Sequence, residues 1–297
     1  MQPLNIWDRH KVYCMSGAGP QAGAGWNRGQ SAMEFLMTYG WAVLIIAVVL
    51  VALFQLGAFN PYNFSPRLPP GTCTIFRPYG INTTGNIEQF GICNSELPQF
   101  VGYMSQGQHS NILMHVRSNT PSFTITFWME PFNNGTTPQN VLYLQGGSYN
   151  QAIYIYWVPD PAPPYEPWSF YALTVNTTSG RWYLYTNETV TQNGTTTSSH
   201  ITSIDLGGPH PGQGLYALNA MVADVQLYNT SFSRSALNAS YVKGIGADPS
   251  DIVHLVGWWP LNSNVFDYSG NGNNSTVRNV TFTTNWIYHY LPPKGKP

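Results

Sequence analysis

The stretch Ser122-Phe-Thr-Ile-Thr-Phe-Trp-Met129 alternates apolar and polar side chains. Because side chains of a strand point to opposite faces in turn, this pattern places Phe123, Ile125, Phe127 and Met129 on one face of a strand. Segments of similar alternation follow along the chain, separated by stretches rich in Asn, Gly and Pro: 153–157, 181–185 and 223–228. Short strands separated by such turn sequences predict an all-β sandwich.

One short helix is predicted within this β-rich part. Ser233 is a suitable N-cap, and Gly244 is a typical helix terminator. Between them, Leu237 and Tyr241 are four residues apart and therefore lie on one helical face. The sequence thus predicts a helix over 233 to 243.

The N-terminal part of the chain has a different composition. From Phe35 to Phe59 there is no charged residue, and the run from Ala42 to Phe54 is apolar throughout. As a helix this segment would extend about 37 Å, against a hydrocarbon core of roughly 30 Å. We therefore predict a transmembrane helix. Four prolines between residues 60 and 70 would end it and begin an extended neck.

The flanking charges predict the orientation of this helix. Arg9, Lys11 and Arg28 precede it, and the first charge after it is Arg67. Since basic flanks stay in the cytoplasm, the C-terminal part is expected outside the cell. Sequons for N-glycosylation, which are typical of exported proteins, all follow the helix. The candidate acceptors are Asn63, Asn82, Asn134, Asn176, Asn187, Asn193, Asn229, Asn238, Asn273, Asn274 and Asn279.

The cysteines are few. Cys14 precedes the apolar run, whereas Cys73 and Cys93 follow it. In an oxidising exterior the latter pair is expected to form a disulfide that clamps the neck, the alternative being two buried free thiols. A zinc site is disfavoured because no C-x-x-C or H-x-x-x-H motif accompanies the pair.

The segment Trp-Asn-Arg28-Gly29-Gln30-Ser-Ala-Met-Glu34-Phe resembles the processing site of archaeal type IV pilins and archaellins. The resemblance implies that a prepilin peptidase cuts between Gly29 and Gln30. Glu34 then becomes the fifth mature residue and pairs with the N-terminal amine of an adjacent identical subunit, while the apolar helices pack into a filament core. The alternative for Glu34 is an ordinary flanking charge at the level of the lipid headgroups.

The leader implied by this resemblance comprises residues 1–29 and is long for the family. Initiation at Met15 would shorten it and would remove Cys14 from the protein. Sequencing the N-terminus of the unprocessed form would decide between the two starts.

A second resemblance, covering about Phe100 to Trp286, is to laminin G-like or concanavalin A-like jelly rolls. It is carried by four parts of the sequence: 122–129, 168–174 with 181–187, 223–228 with 233–244, and 257–262 with 267–274. The last part usually opens such domains and here comes last, which indicates a permuted strand order. The resemblance implies a lectin-like head. Four tryptophans are expected in its core rather than in a sugar site: Trp128, Trp182, Trp258 and Trp259.

The segment from Asp267 to Asn274 is rich in side-chain oxygen. It is interpreted as a tight turn, for which Asp, Ser, Gly and Asn are suited, or as part of a calcium site that includes Asp267. No other cofactor is predicted.

Composition and the lack of catalytic motifs argue against two other classes of function, nucleic-acid binding and catalysis. Charged residues make up 8% of the chain, the formal net charge is -1, and Lys and Arg do not cluster, so nucleic acid is not an expected partner. No H-E-x-x-H, G-x-S-x-G or P-loop motif occurs, so the chain is not predicted to be an enzyme. With few carboxylates to protonate, the head is expected to tolerate acid.

The sequence therefore predicts a surface filament subunit with an adhesive, lectin-like head that contacts a glycan or protein ligand at the cell surface. The alternative is a lectin anchored in the membrane that does not polymerise; an anchored glycan hydrolase would require two carboxylates that meet in space. The predicted parts are a leader (1–29), a transmembrane or filament-core helix (30–59), a neck (60–99), a jelly-roll sandwich (100–290) and a tail (291–297).

Overall fold

The computed structural model describes residues 28–56, 58–59, 65–80, 83, 85–93, 96–116, 122–132, 137–146, 153–158, 167–196, 201–210, 212 and 214–293. The chain divides into two compact units, residues 1–59 and 60–297. Cys14 and Met15 lie outside the described residues. Gly29, Gln30 and Glu34 lie within a described helix, but their side chains are outside the description.

The first unit contains helix α1 (Arg28–Gln55). The large apolar side chains from Met37 to Phe54 are exposed, with exposed fractions between 36% and 77%. The transmembrane helix predicted over residues 30–59 is not supported, because among the residues that the structure describes no helix reaches the length and apolarity needed to cross a membrane.

The second unit, here called the head, is built mainly of strands. Its strands are β1 (Arg67–Leu68), β2 (Cys73–Phe76), β3 (Glu88–Gly91), β4 (Leu97–Pro98), β5 (Val101–Met104), β6 (Asn111–His115), β7 (Phe123–Pro131), β8 (Gln139–Gly146), β9 (Ile153–Trp157), β10 (Ser169–Asn176), β11 (Arg181–Thr186), β12 (Thr189–Thr195), β13 (Ile201–Leu206), β14 (Ala220–Tyr228), β15 (Leu255–Trp259), β16 (Ser275–Arg278) and β17 (Thr281–Thr283). Its described helical elements include α2 (Arg234–Lys243) and the 3-10 turns Gln106–Gln108 and Asn285–His289.

Two antiparallel sheets form the sandwich. The larger has the order β12-β11-β10-β7-β14-β5-β17, and β15 joins it beside β14. The smaller has the order β16-β6-β13-β8-β9. β5 and β15 pair with successive parts of one edge of β14, so early and late strands of the head are neighbours in the sheet. A permuted strand order is possible only if the first and last strands of a domain lie close together in the sheet, as they do here.

The core between the sheets confirms the predicted alternation. Phe123, Ile125, Phe127 and Met129 of β7 are all fully buried in it. They pack with the inward residues of the smaller sheet, which include Ile112, Met114, Leu142, Leu144, Ile155, Ile204 and Leu206. The all-β sandwich predicted from sequence is thus confirmed.

A second apolar layer covers the other face of the larger sheet. There Trp128 and Phe170 pack against Leu237 of α2 and Trp286 of the C-terminal 3-10 turn. Helix α2 confirms the prediction from its caps, because the Ser233 hydroxyl accepts a hydrogen bond from the Ala236 N–H at 3.3 Å. Gly244 ends the helix with a φ of 84°, which favours glycine.

The predicted tryptophans are placed mainly as expected. Trp128, Trp258 and Trp259 are buried, and Trp182 is half-buried against the main core. The Trp259 indole N–H donates to the Asn273 carbonyl at 3.0 Å, which satisfies the polar edge of a ring that is otherwise surrounded by apolar side chains.

The segment predicted as a separate neck is largely part of the head. Strands β2 and β3 form a hairpin, and Ile75 of β2 is buried with Tyr228, Leu255 and Trp258. The Ile75 N–H donates to the Tyr268 carbonyl at 3.0 Å. The β2–β3 hairpin within the predicted neck thus packs on the sandwich, from which a two-stranded hairpin, marginal by itself, gains stability.

The predicted disulfide between Cys73 and Cys93 is confirmed. The two sulfurs are bonded and the Cα atoms lie 4.8 Å apart. The bridge closes the hairpin at its open end, since Cys73 pairs with Gly91 in the register of β2 and β3.

The larger sheet carries a buried carboxylate on β7, that of Glu130. Its side chain is fully buried, and the His289 Nδ1 lies 2.6 Å from its Oε1. Burial raises the pKa of Glu130 from an ordinary value of 4.5 to about 7, against the opposing charge and hydrogen bond of His289.

A second buried carboxylate, Asp224, lies in an irregular part of β14 with a φ of 54°. It accepts hydrogen bonds from the Trp258 indole at 2.9 Å and the Gln226 amide at 3.0 Å. Burial raises the pKa of Asp224 from 3.8 to about 7; the two hydrogen bonds and Lys243 oppose this, and Asp248 adds to it.

The head is therefore expected to be most stable on the acid side of neutrality. Both carboxyl groups have a higher pKa in the folded than in the unfolded chain, so the folded state binds more protons between about pH 4 and pH 7. Raising the pH through this window should lower the free energy of unfolding by a few kcal/mol. Urea unfolding curves at pH 5, 6, 7 and 8 measure this.

The matched control for this pH dependence is the double variant Glu130→Gln, Asp224→Asn, whose stability should vary much less over the same window. A wild-type head that becomes more stable from pH 5 to pH 8 would contradict the prediction.

Candidate ligand-binding face on the smaller sheet

The outer face of the smaller sheet carries a row of directly paired residues, one from each strand. From edge to edge, the row consists of Thr276, Leu113, Asp205, Tyr143 and Tyr154. The sequence neighbours of the last four residues point into the core, so these four side chains point outward, and Thr276 shares their face because it pairs directly with Leu113. With strands about 4.8 Å apart, the row extends about 19 Å across the sheet. We call it the polar–aromatic row.

Three rings form a compact cluster at the β8–β9 end of this row. The centroid of the Tyr143 ring is 4.9 Å from that of Tyr154 and 4.2 Å from that of His210. The Tyr154 and His210 rings meet edge to face at 5.8 Å. His210 is held in place by reciprocal backbone hydrogen bonds with Leu215 at 2.9 and 3.1 Å. All three rings remain partly exposed.

Asp205 joins these rings to the polar part of the row. Its Oδ1 accepts a hydrogen bond from the Asn111 amide at 3.0 Å, and its Oδ2 lies 3.6 Å from His210 Nε2. Burial raises the pKa of the Asp205 carboxyl, whereas Asn111, His210 and the Gly208 N–H oppose the rise. A Cβ at Gly208 would lie 2.4 Å from Asp205 Oδ2, so this close approach requires glycine.

A second polar row lies beside the first. Ser203 pairs across the sheet with Gln145 on one side and His115 on the other. The Ser203 hydroxyl lies 3.3 Å from Gln145 Oε1. Tyr156, on the same face of β9, is 46% exposed. The outer face thus combines aromatic rings with amide, hydroxyl, imidazole and carboxylate groups.

This combination suits a ligand that has both an apolar face and hydroxyl groups. Aromatic rings give dispersion contact to a flat C–H surface. Amide and carboxylate oxygens accept hydrogen bonds from hydroxyls, and amide N–H groups donate to them. A pyranose ring offers both features.

Asp267, the predicted turn or calcium residue, uses its carboxylate to bind backbone N–H groups. Oδ1 accepts from Trp258 at 3.0 Å and from Ser269 at 2.9 Å, and Oδ2 accepts from Asn273 at 2.7 Å. Within the described ranges, no group of three or more His, Cys, Asp and Glu side chains could hold a metal ion. The geometry favours the turn interpretation.

The glycosylation candidates differ in whether the structure describes them and in how far their side chains are buried. Asn63, Asn82 and Asn134 lie outside the described residues. Asn273 is buried, and its Nδ2 donates to the Val256 carbonyl at 2.8 Å, so a glycan on this nitrogen is incompatible with the folded head. The other described candidates are exposed or half-buried: Asn176, Asn187, Asn193, Asn229, Asn238, Asn274 and Asn279.

Sequence reasoning named no ligand-binding residue, and the polar–aromatic row was missed. The sequence contains one indication of this face: in β9, Tyr154 and Tyr156 alternate with Ile153 and Ile155. The alternation shows that these tyrosines point away from the core, but their meeting with Tyr143 and His210 depends on strand pairing that is distant in sequence.

No protein-family model and no curated protein matches this chain. Among solved structures, a Bacteroides ovatus protein described as carbohydrate-binding is similar, with 14% identity and a TM-score of 0.47, over 67% of this chain and 63% of that one. A SAP-like pentraxin from Limulus polyphemus is 9% identical over 61% of this chain and 95% of its own, with a TM-score of 0.36. The carbohydrate-binding module CBM40 of the Ruminococcus gnavus IT-sialidase, bound to sialyllactose, is 12% identical over 43% and 91%, with a TM-score of 0.31.

This chain therefore spans less than two thirds of the length of the Bacteroides ovatus structure. Identities and TM-scores this low assign no ligand to the chain.

Proposed function

We propose that this chain is a glycan-binding surface protein and that the polar–aromatic row binds the glycan. The observation that carries the proposal is the convergence of Tyr143, Tyr154 and His210 beside Asp205 and Asn111. The ring faces would contact the sugar, and the carboxylate and amide would fix its hydroxyls. The proposal includes no catalytic role.

The length of the row indicates the kind of glycan. A row of about 19 Å extends beyond one sugar ring, so we expect binding of a chain of several units. Each contact is shallow because the face is open and its groups are only half-buried. We therefore expect weak affinity for a single head, which several heads on one surface would raise through avidity.

Tyr143→Ala and Tyr154→Ala are each expected to weaken glycan binding at least tenfold, because each removes one ring of the cluster; this loss corresponds to about 1.4 kcal/mol. A glycan array would identify the oligosaccharide, and calorimetry with the full-length chain would measure its affinity. The control is Tyr288→Ala, which removes a tyrosine that is 63% exposed and lies in the C-terminal 3-10 turn, on the larger sheet rather than the smaller one. Equal affinity of all variants, or no binding to the array, would refute the proposal.

We also propose, from the sequence, that the chain is a type IV pilin-like filament subunit. The support is the Arg28-Gly29-Gln30 segment with Glu34, followed by the uncharged run from Phe35 to Phe59. Helix α1 begins at this segment and exposes large apolar side chains on all sides. An exposed apolar surface of this extent is typical of an interaction site. Packing against copies of α1 in a filament core would bury it.

In this proposal the partners are identical subunits, a prepilin peptidase that removes the leader, and the membrane in which the precursor resides. The precursor passes through the membrane once with its C-terminus outside, and the processed subunit lies in a cell-surface filament. The glycosylated outer head then faces its ligand.

Glu34→Ala is expected to abolish filaments while leaving the protein level in the membrane fraction unchanged, because the proposed partner of the N-terminal amine is lost. Filaments sheared from cells are counted by electron microscopy, and their subunits are sequenced from the N-terminus, with Gln30 expected first. Glu88→Ala, which removes an exposed carboxylate in β3, is the control.

Normal filaments in the Glu34→Ala variant would contradict the assembly role. An intact leader found only in membranes would favour the anchored lectin that does not polymerise.

A further inference from the structure

We propose that the head has a second ligand site, a cavity between the β11–β12 turn and the first turn of α2, which takes a single neutral pyranose. This site does not depend on the polar–aromatic row, because β11 and β12 belong to the larger sheet. Its volume is about 340 Å³, within the range of small-molecule sites. Two other cavities of the head, beside the disulfide and beneath Lys243, measure about 50 and 10 Å³.

The walls of the cavity are held by hydrogen bonds before any ligand arrives. Asn187 in the turn is fixed to Phe170, whose N–H donates to the Asn187 side-chain oxygen at 2.9 Å and whose carbonyl accepts from the Asn187 N–H at 2.6 Å. The Arg234 guanidinium donates to the Glu188 carbonyl at 2.9 Å, which joins the turn to the helix. A cavity with fixed walls binds its ligand at a smaller entropic cost.

The lining indicates the ligand class. Two side chains, Tyr185 and Leu237, offer apolar surface, and the others are polar: Asn187, Glu188, Arg234, Ser235 and Asn238. One carboxylate and one guanidinium leave no net charge to select an ion. The amides and the hydroxyl both donate and accept hydrogen bonds, as the hydroxyls of a ligand do. A neutral ring with several hydroxyls and one apolar face matches this lining, and the volume limits it to about one sugar unit.

A neutral pyranose could reach the cavity from two sources. Asn187 and Asn238 are both sequon asparagines that line it, so the first sugar of an N-linked glycan of the protein itself is one source. A sugar of an external glycan is the other. Comparing protein made with and without N-glycosylation separates them.

The test uses the full-length chain made in a host that attaches no N-glycans, in the Tyr154→Ala background so that the polar–aromatic row is weakened. The probes are the methyl pyranosides of glucose, galactose, mannose and N-acetylglucosamine, titrated by saturation-transfer NMR. At least one probe is expected to bind saturably. Ser235→Trp, which fills the cavity, and Arg234→Ala, which removes its bridging guanidinium, should each weaken that binding at least tenfold.

Circular dichroism and thermal unfolding show whether each variant is folded, and the two variants alter the cavity in opposite ways, so one folded variant is sufficient. Arg181→Ala, an exposed arginine of β11, is the matched control and should bind as the parent does. Binding of none of the four probes, or binding unchanged in a folded cavity variant, overturns the proposal. If the glycosylated protein no longer binds the probe, the protein's own glycan occupies the site; if it still binds, the ligand is external.

Failure here is distinct from failure of the proposed function, since the Tyr143→Ala and Tyr154→Ala variants test the row and the Ser235→Trp and Arg234→Ala variants test the cavity.

Discussion

Asp267→Ala is expected to lower the free energy of unfolding of the head by about 3–5 kcal/mol. The substitution removes a carboxylate that accepts hydrogen bonds from the backbone of Trp258, Ser269 and Asn273. Each N–H left without a partner in a part-buried site costs on the order of 1–3 kcal/mol, and bonds to an ionised acceptor are the stronger ones. The loss should therefore far exceed that of a surface substitution.

The measurement is urea unfolding of the full-length chain, followed by tryptophan fluorescence. Asp267→Asn keeps one acceptor oxygen and should lose less stability than Asp267→Ala. Glu88→Ala, at an exposed position, should stay within about 0.5 kcal/mol of the parent. Calcium that raises the unfolding midpoint of the parent but not of Asp267→Ala would restore the calcium interpretation, and unchanged stability of Asp267→Ala would refute the role in the turn.

Arg77→Ala is expected to lower the free energy of unfolding by about 3 kcal/mol and to detach the β2–β3 hairpin. The Arg77 guanidinium is buried and donates to four backbone carbonyls at 2.9 to 3.3 Å, those of Leu255, Ile252, Ser269 and Thr83. Burial lowers the pKa of Arg77, which the charge of Asp267 opposes. Three of these bonds, to Leu255, Ile252 and Ser269, tie the hairpin to parts of the head that are distant in sequence.

Hydrogen exchange across β2 and β3 reports this detachment directly, because the disulfide keeps the hairpin closed while its packing on the sandwich is lost. Arg77→Lys should recover only part of the stability, since an ammonium cannot reproduce the planar fork of donors. The control is Arg278→Ala, at an exposed arginine of β16. Because Arg77 and Asp267 interact, the effects of their two substitutions should not add. Unchanged exchange in Arg77→Ala would show that the hairpin is held by its apolar contacts alone.

Local patterns in the sequence determined a large part of the fold. The alternation over 122–129 identified strand β7 and the four side chains that it turns toward the core between the two sheets, because the two-residue period of a strand is a local property. The caps at Ser233 and Gly244 identified α2 for a similar reason, since capping involves neighbours within one turn. The disulfide between Cys73 and Cys93 was predicted because these two cysteines both lie in the part of the chain expected outside the cell, where thiols are oxidised. No geometric argument entered that prediction.

Other features could be decided only by the tertiary structure. The polar–aromatic row joins Tyr143 to Asp205 across two strands that are far apart in sequence, and its register depends on how the whole sheet packs. Asn273 matches a glycosylation sequon, yet its burial under β15 removes it as an acceptor in the folded head. The hairpin predicted as a neck belongs to the head because Arg77 and Ile75 find partners near the other end of the chain. The sequence by itself determined strands β7, β9, β11 and β14, because their alternation is a short-range periodicity. Only the tertiary structure decided which polar side chains meet, because that depends on contacts between residues distant in sequence.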